Sequence, residues 1–295
     1  MEQLNSKLHN RADLHVHTTA SDGLLQPAQV VQLASRLGLS AIAITDHDTT
    51  AGVAEAQEEG NRLGIRIVPG VEISTAINGS EIHILGYGIK LEDAVLQSRL
   101  QEQRNARSKR NELIIGNLNK MGIAITLEDV HMEAANADHD SQTGSKDDKR
   151  KSIGRPHIAA VLVKRGIVKT IREAFDEYLA AGAAAYAAVP RITPFEAIDW
   201  IRDAGGVSVI AHPGLYHNDR LVEELLQKGG ALGIEAYHSD HDTEAERRYS
   251  QLAQVYNVLI TGGSDYHGER AEGSYHGALG SKSADIAIVE KLMQG

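Results

Sequence analysis

The chain has 295 residues, 42% of them hydrophobic, and a formal net charge of -10 at pH 7. This length allows one large α/β domain or a barrel with an inserted subdomain, and the hydrophobic content excludes wholesale disorder. The negative charge argues against a stable DNA-binding surface, because phosphate backbones are held by clusters of Lys and Arg. A small anionic substrate that binds at a locally positive site remains compatible with this net charge.

Two absences narrow the class of protein further. The chain has no cysteine, so a bound metal would be held by imidazole and carboxylate groups, which suit Mn, Fe, Zn or Mg. It has no apolar run long enough to span a bilayer, and its first residues, MEQLNSKLHN, do not resemble a signal peptide. We therefore expect a cytoplasmic protein with no membrane partner.

Short apolar runs alternate with amphipathic stretches along much of the chain, which is typical of βα units around a parallel sheet. The predicted strands are ADLHVH, SAIAITDHD, IRIVPGVEI, EIHILGYGI, GVSVIAHPG, LGIEAYH and VLITGGSDYH. A helix is predicted over 27–37, with Pro27 in its first turn and Gly38 after its end. This α/β pattern favours a (β/α) barrel over an open sheet.

The alternation lapses between the fourth and fifth predicted strands. A long helical pattern over 91–121 is followed by ITLEDV and then by a polar stretch without periodicity, which we interpret as a mobile loop over 131–152. Two more helices, in GRPHIAAVLVKRG and TIREAFDEYLAAG, come next. We therefore predict a barrel over 11–90 and 193–295, with an inserted helical subdomain over 91–192.

Ionisable residues recur at the predicted strand ends, where parallel barrels carry their catalytic groups. The candidates are His15, His17, Asp22, Asp46, His47, Asp48, Glu72, His83, His212, His238, Asp265 and His267. Any one of these histidines alone is more often a hydrogen-bonded structural residue than a ligand. Residues two apart on a strand share a face, however, and so many buried polar groups are costly unless they are paired or metal-bound. Together they predict a centre with more than one metal ion.

Seven segments of the chain resemble the successive motifs of the PHP superfamily, the polymerase and histidinol phosphatase metallohydrolases. They are DLHVHTTASDG, AITDHDT, GVEIS, IHILGY, AHPG, GIEAYH and GGSDYHG. The resemblance implies a distorted (β/α)7 barrel with a trinuclear metal centre. GRPHIA and the insertion are similar to the branch that contains nucleoside 3',5'-bisphosphate phosphatases and related 5'-to-3' exoribonucleases.

The same resemblance implies a set of metal ligands. His15, His17 and Asp265 would hold one ion, and Glu72 would bridge it to a second. The remaining ligands would be His83 and His212 at the second ion, and Asp22, His47 and His267 at the third. His238 would act near the phosphate, as a hydrogen-bond donor or as the general acid. We expect all three ions to be divalent cations, with Mn2+ preferred and Fe, Zn or Mg as alternatives.

The long helix adds candidate substrate residues. Arg104, Arg107 and Asn111 fall within its apolar stripe, which is formed by Leu96, Leu100, Ile114 and Leu118. Two arginines on a buried face need an anionic partner, either a barrel carboxylate or a substrate phosphate. A second anion site is predicted where Arg155 and His157 flank Pro156 at a helix start, although an ordinary helix start is the simpler alternative.

These observations together predict a phosphoric ester hydrolase. By resemblance, its substrate is a nucleoside 3',5'-bisphosphate such as pAp, cleaved to AMP and phosphate by a hydroxide held between two ions. The alternatives are a 5'-to-3' exoribonuclease acting on short RNA and, less favoured, a histidinol-phosphate phosphatase, whose cationic substrate would not suit arginines. An amide hydrolase and a non-catalytic metal-stabilised module are weaker rivals, since Glu72 stands at the bridging position and no ligand is missing.

Overall fold

The computed structural model describes residues 10–136, 153–269 and 276–294. Within them, one sheet contains β1 (Arg11–Val16), β2 (Ala41–Ile44), β3 (Arg66–Ile77), β4 (Ser80–Tyr87), β5 (Val207–Ile210), β6 (Gly233–His238), β7 (Leu259–Gly263) and β8 (Ala284–Asp285). Their order in the sheet is β7-β6-β5-β4-β3-β2-β1-β8. The Tyr266 amide donates to His15 O and the His17 amide to Tyr266 O, at 3.3 and 2.9 Å, so the segment after β7 meets β1. The predicted barrel is confirmed and is nearly closed.

Two strands depart from the predicted all-parallel arrangement. β4 runs antiparallel to both β3 and β5, and β8, which the sequence did not indicate, runs antiparallel to β1. β3 and β4 form a hairpin whose two-residue turn is Asn78-Gly79, with φ of 51° and 81°. The beginning of β4, rather than its end, therefore lies at the rim, where His83 pairs with Ser74.

The described residues also form helices, between and after the strands. They are α1 (Pro27–Arg36), α2 (Val53–Leu63), α3 (Ala94–Lys120), α4 (Leu127–Asn136), α5 (Arg155–Lys164), α6 (Ile171–Ala174), α7 (Pro194–Asp203), α8 (Asp219–Gln227), α9 (Thr243–Tyr256) and α10 (Ala287–Leu292). A π-helical turn over Phe175–Leu179 follows α6. Among the described residues, no helix combines the length and apolar character needed to cross a membrane.

The helices between β4 and β5 have an apolar core of their own. Ile114 and Leu118 of α3 pack there with Leu162 of α5 and with Phe175, apart from the clusters of the barrel. This agrees with the predicted insertion, although its status as a separate domain stays a prediction. The predicted loop over 131–152 is wrong at its start, because α4 continues through residues 131–136; residues 137–152 lie outside the described part of the chain.

A β-bulge in β1 decides which side chains enter the barrel. Asp13 pairs with Ile42 and Val16 with Ile44, so β1 carries one extra residue between these pairs. Leu14 packs in the apolar interior, whereas Val16 packs outside, beneath α1 and α2. The extra residue lets His15 follow Leu14 into the interior instead of alternating away from it. His15 and His17 then share one face, as the sequence predicted.

Candidate metal centre

The Glu72 carboxylate lies at the middle of the cluster of predicted ligands. Its Oε2 is 3.3 Å from His15 Nε2 and 3.2 Å from His17 Nε2. Asp265 Oδ1 approaches the same two nitrogens at 3.4 and 3.1 Å. These four side chains are buried and present ligand atoms within 4.8 Å of one another, so they form one group that could hold a cation. It is the group that the sequence motifs implied for the first ion.

The second group of ligand atoms lies on the other side of His17. Asp22 Oδ1 is 3.3 Å from His267 Nε2, and Asp22 Oδ2 is 3.8 Å from His47 Nε2. With His17 they form a four-residue group that could hold a metal. The three residues implied for the third ion are thus brought together, and His17 joins them.

The other oxygen of Glu72 faces a different pair of histidines. Glu72 Oε1 is 2.7 Å from His83 Nδ1 and 3.2 Å from His212 Nε2. His47 also lies in this group, with its Nδ1 2.9 Å from Glu72 Oε2. One carboxylate therefore directs its two oxygens toward two sets of imidazoles, which is the arrangement expected of a bridging ligand.

Several buried atoms of this cluster have no hydrogen-bond partner within the described structure. They are His15 Nε2, His17 Nε2, Asp22 Oδ1, His47 Nδ1, Glu72 Oε2, His212 Nδ1 and Asp265 Oδ1. A buried polar atom left unpaired costs about 1–3 kcal/mol. Nitrogen and carboxylate oxygen atoms that converge around Glu72 without bonding one another are the donor set that divalent cations take.

The electrostatics of the cluster also favour cations. Burial would raise the pKa of Glu72, but the neighbouring imidazoles, beginning with His47, hold it well below its ordinary value. Burial lowers the pKa of His47 to about 3, which keeps its lone pairs available. Burial would also lower the pKa of His17, but the charges of Asp265 and Glu72, whose carboxylates lie 3.1 and 3.2 Å from its Nε2, raise it to about 10. The site therefore demands positive charge, from protons or from metal ions.

Three residues of the rim have backbone conformations that residues other than glycine rarely adopt. Asp48, His212 and Asp265 have φ of 54°, 27° and 54°. Strain of this kind is kept where the surrounding structure requires it, which is common at functional sites. It turns the chain sharply at the ends of strands and aims His212 and Asp265 at the cluster.

Glu235 is a site residue that the sequence reasoning missed. Its side chain is fully buried, accepts a hydrogen bond from His15 Nδ1 at 3.0 Å and accepts the His212 amide at 2.8 Å. It fixes the His15 ring so that Nε2 faces the cluster. A bulge in β6 between Glu235 and Tyr237 lets both Glu235 and His238 reach the interior. A lone acidic residue in the apolar motif GIEAYH was the available signal.

His238 is fully buried and does not line the cavity beside the cluster. Its Nε2 lies 3.4 Å from Asp265 Oδ2, and its Nδ1 accepts the Asp240 amide at 3.1 Å. This placement favours a positioning role over the predicted contact with substrate. His276, which the sequence reasoning also missed, does line the cavity, and its Nδ1 lies 3.1 Å from Asp240 Oδ2.

A cavity of about 210 Å³ opens over the metal ligands. Of the predicted substrate residues, Arg107 and Arg155 line it. Arg107 also forms a salt bridge with a barrel carboxylate, with its Nη2 3.2 Å from Asp48 Oδ2, and donates to Ser74 Oγ at 2.6 Å. Pro156 lines the cavity at the start of α5, as expected for the second anion site.

The other three predicted substrate residues lie elsewhere. Arg104 donates to Asp48 O at 2.7 Å, and it lines a second cavity, of about 520 Å³, together with Asn111. Asn111 donates to Ile153 O at 2.7 Å, and His157 Nδ1 accepts the Gly154 amide at 3.1 Å. These contacts hold backbone in place, so the structure does not bring Arg104, Asn111 or His157 to the metal-side cavity. A helical stripe alone could not distinguish the two sides of α3.

Comparison with known proteins identifies the family of the chain. A family model of the PHP domain matches residues 13–193. The chain is 33% identical over 259 residues to a 3',5'-nucleoside bisphosphate phosphatase of Chromobacterium violaceum, covering 86% of each chain. It is 35% identical over 262 residues to the 5'-3' exoribonuclease Rnm of Escherichia coli, covering 86% of this chain and 84% of the relative.

A solved structure from Bifidobacterium adolescentis, named as a metal-dependent phosphoesterase, superposes with a TM-score of 0.83 at 32% identity. The match covers 96% of this chain and 95% of that one. The resemblance read from the motifs is confirmed, and so is the phosphoric ester hydrolase class. The chain therefore belongs to the PHP domain family of metal-dependent phosphoesterases.

Proposed function

We propose that the protein removes a phosphate from a nucleoside 3',5'-bisphosphate, with pAp yielding AMP and inorganic phosphate. The observation that carries the proposal is the Glu72 carboxylate, which directs one oxygen toward His15 and His17 and the other toward His83 and His212. This arrangement adjoins a cavity lined by Arg107 and Arg155, which suits an anionic substrate. The relative named as a nucleoside bisphosphate phosphatase supports the choice of substrate.

We infer three divalent cations, with Mn2+ preferred over Fe, Zn or Mg. The first would be held by His15, His17, Asp265 and Glu72, and the second by Glu72, His83 and His212. The third would be held by Asp22, His47 and His267, beside His17. Divalent cations, when bound, supply a reactive water near neutral pH and neutralise charge on phosphoryl oxygens.

The side chains of the chain itself then bind and orient the substrate. Arg155 and Arg107 would hold phosphoryl oxygens over the ligands, because a guanidinium group can donate two parallel hydrogen bonds. Glu235 holds the His15 ring, and His238 holds Asp265. A water oxygen adds to phosphorus as the bond from phosphorus to the ester oxygen breaks, and the departing ester oxygen takes up the proton that the water gives up.

A phosphate-release assay with Mn2+ tests the proposal. The panel contains pAp, AMP, histidinol phosphate and 5'-phosphorylated dinucleotides. We expect pAp to be the preferred substrate, and we expect its hydrolysis to be lost with EDTA and in the His15→Ala, His17→Ala double variant. His217→Asn, at an exposed position with φ of 48°, is the matched control and should retain activity. Full activity of the double variant would overturn the proposal.

A second candidate function is exoribonuclease activity on short RNA. The relative named as a 5'-3' exoribonuclease supports it, at 35% identity over most of both chains. The two candidates differ in the leaving group, which is inorganic phosphate from pAp and a nucleotide from RNA. A preference for dinucleotides over pAp in the same panel would favour the exoribonuclease.

A further inference from the structure

A tyrosine hydroxyl is inserted into the hydrogen-bond ladder between β4 and β5. Ile84 pairs with Ile210, so His83 faces Ala211 at the next step, and the Ala211 amide donates to His83 O at 3.2 Å. A regular antiparallel pair of this kind exchanges a second bond, here from the His83 amide to Ala211 O. Instead, the His83 amide donates to the Tyr216 hydroxyl at 3.0 Å, and that hydroxyl donates to Ala211 O at 2.6 Å. The hydroxyl therefore stands between the two strands.

This insertion lies next to two predicted metal ligands. His83 is one of the bridged residues, and His212 directly follows the other. Both rings approach Glu72 Oε1, at 2.7 and 3.2 Å, and their centroids are 5.2 Å apart with an angle of 75° between the ring planes. The separation of the strands at this step decides where both imidazoles start. The hydroxyl can therefore control the two ligands together, through the backbone that carries them.

The turn that carries the hydroxyl is itself held in place. A short 3-10 turn over Pro213–Tyr216 begins directly after His212, whose φ is 27°. The Gly214 amide donates to His241 Nε2 at 3.0 Å, and His241 Nδ1 lies 2.9 Å from Ala236 O of β6. The turn is thus tied to β6, while its last residue reaches back between β4 and β5.

The contacts of Tyr216 distinguish it from a residue that binds substrate. Its side chain lines the metal-side cavity, but its hydroxyl already accepts one hydrogen bond and donates another within the protein. Its ring packs against the His212 ring at 5.6 Å between centroids and 67° between planes. A side chain that holds the surroundings of a ligand in this way orients the ligand.

We propose that Tyr216 is a positioning residue for His83 and His212: its hydroxyl sets the separation of the strands that carry them, and its ring limits the tilt of the His212 imidazole. The inference rests on the proposed function, in which these two histidines and Glu72 hold the second cation. Tyr216→Phe keeps the ring and removes the hydroxyl. The His83 amide then loses its acceptor, Ala211 O loses its donor, and the two ligands lose their fixed separation.

Titration of the metal-free protein with Mn2+ tests this role without relying on activity. We expect Tyr216→Phe to weaken one class of bound Mn2+ by about 10- to 100-fold and to leave the other classes as in the wild type. Tyr256→Phe removes a hydroxyl that donates to Glu223 Oε2 at 3.2 Å, and it should bind Mn2+ as the wild type does. In case Tyr216→Phe does not fold, Gly214→Ala is the second variant. A Cβ there would lie 2.7 Å from His241 Cδ2, so the turn must shift, and the same selective loss should follow.

A double variant shows whether Tyr216 acts through the ligands. His212→Ala should weaken the same class of Mn2+, and adding Tyr216→Phe to it should cause little further loss, because residues that act on one another are not additive. Losses that add, a titration of Tyr216→Phe identical to that of the wild type, or an equal weakening of every class would each overturn the positioning role.

Phosphate release from pAp decides the proposed function separately. Selective loss of Mn2+ in Tyr216→Phe, together with no phosphate release by the wild type, would support the positioning role and overturn the phosphatase. Phosphate release by the wild type, together with unchanged Mn2+ binding in Tyr216→Phe, would overturn the positioning role and leave the phosphatase standing.

Discussion

The Glu235 carboxylate accepts a hydrogen bond from His15 Nδ1 at 3.0 Å and thereby aims His15 Nε2 at Glu72. The two residues are far apart in sequence, in β6 and β1, and both are fully buried. His15 Nε2 faces the carboxylates of Glu72 and Asp265, which are predicted metal ligands. The orientation of the His15 ring therefore controls the geometry of the group that these residues form with His17.

Replacing Glu235 should therefore weaken metal binding without touching a ligand. Glutamine lacks the negative charge that favours a proton on His15 Nδ1. Its NH2 group would also face two groups that are themselves donors, His15 Nδ1 and the His212 amide. We expect Mn2+ affinity to fall by about 10- to 100-fold, measured by titration calorimetry. Glu244→Gln, at an exposed position in α9, is the control. Unchanged affinity in Glu235→Gln would contradict the positioning role.

His238 should behave as a positioning residue and not as the proton donor. His238→Ala removes the contact with Asp265, and we expect kcat to fall by about tenfold or more. His238→Gln keeps a donor and an acceptor but cannot give up a proton at neutral pH, so it should restore most of the activity. Loss of activity in His238→Gln equal to that in His238→Ala, at saturating Mn2+, would argue for acid catalysis.

Gly263 leaves the space that His15 occupies. A Cβ at this position would lie 2.3 Å from His15 Cβ and 2.5 Å from His15 N. Gly263→Ala should displace β1, at a cost of about 1–3 kcal/mol in the free energy of unfolding, and lower the Mn2+ content of the purified protein. Urea unfolding and elemental analysis measure the two effects. Normal metal content would show that His15 tolerates the displacement.

The Asn78-Gly79 turn sets the register that brings His83 to the rim. Gly79 has φ of 81° and open space around its Cα, so Gly79→Ala adds backbone strain alone. We expect a loss of about 1–2 kcal/mol in the free energy of unfolding. Gly116→Ala, in the interior of α3 and also without close neighbours, is the matched control. It should stabilise the protein by about 0.5–1 kcal/mol.

Glu81 should make the free energy of unfolding depend on pH in the acid range. Burial would raise its pKa, but Arg155 and then Arg110 hold it well below the ordinary value of 4.5. A carboxyl with a depressed folded-state pKa stabilises the protein fully above its unfolded pKa, and that contribution is lost as the pH falls below it. The difference in urea stability between wild type and Glu81→Gln should therefore be larger near pH 7 than near pH 4. A difference that grows toward acid pH would contradict this sign.

Much of the site could be predicted because its signals are local. Two-residue spacing on a strand is enough to place His15 and His17 on one face, and barrel strand ends gather side chains such as Glu72 and Asp265 at one rim. The helix around Arg107 was likewise predictable from its apolar stripe. The direction of β4 was not, because a strand's neighbours depend on pairings that no local pattern encodes.

The sequence by itself determined the class of the protein: an α/β barrel, a donor set of imidazoles and carboxylates with no thiolate, and ordered motifs of a metal-dependent phosphoesterase family. Only the tertiary structure decided which donors meet, because contacts between distant segments depend on bulges and strand order. The bulges in β1 and β6 brought Glu235 to His15. The packing of α3 turned Arg107 and Arg110 toward the cavity, while Arg104 and Asn111 line the second one.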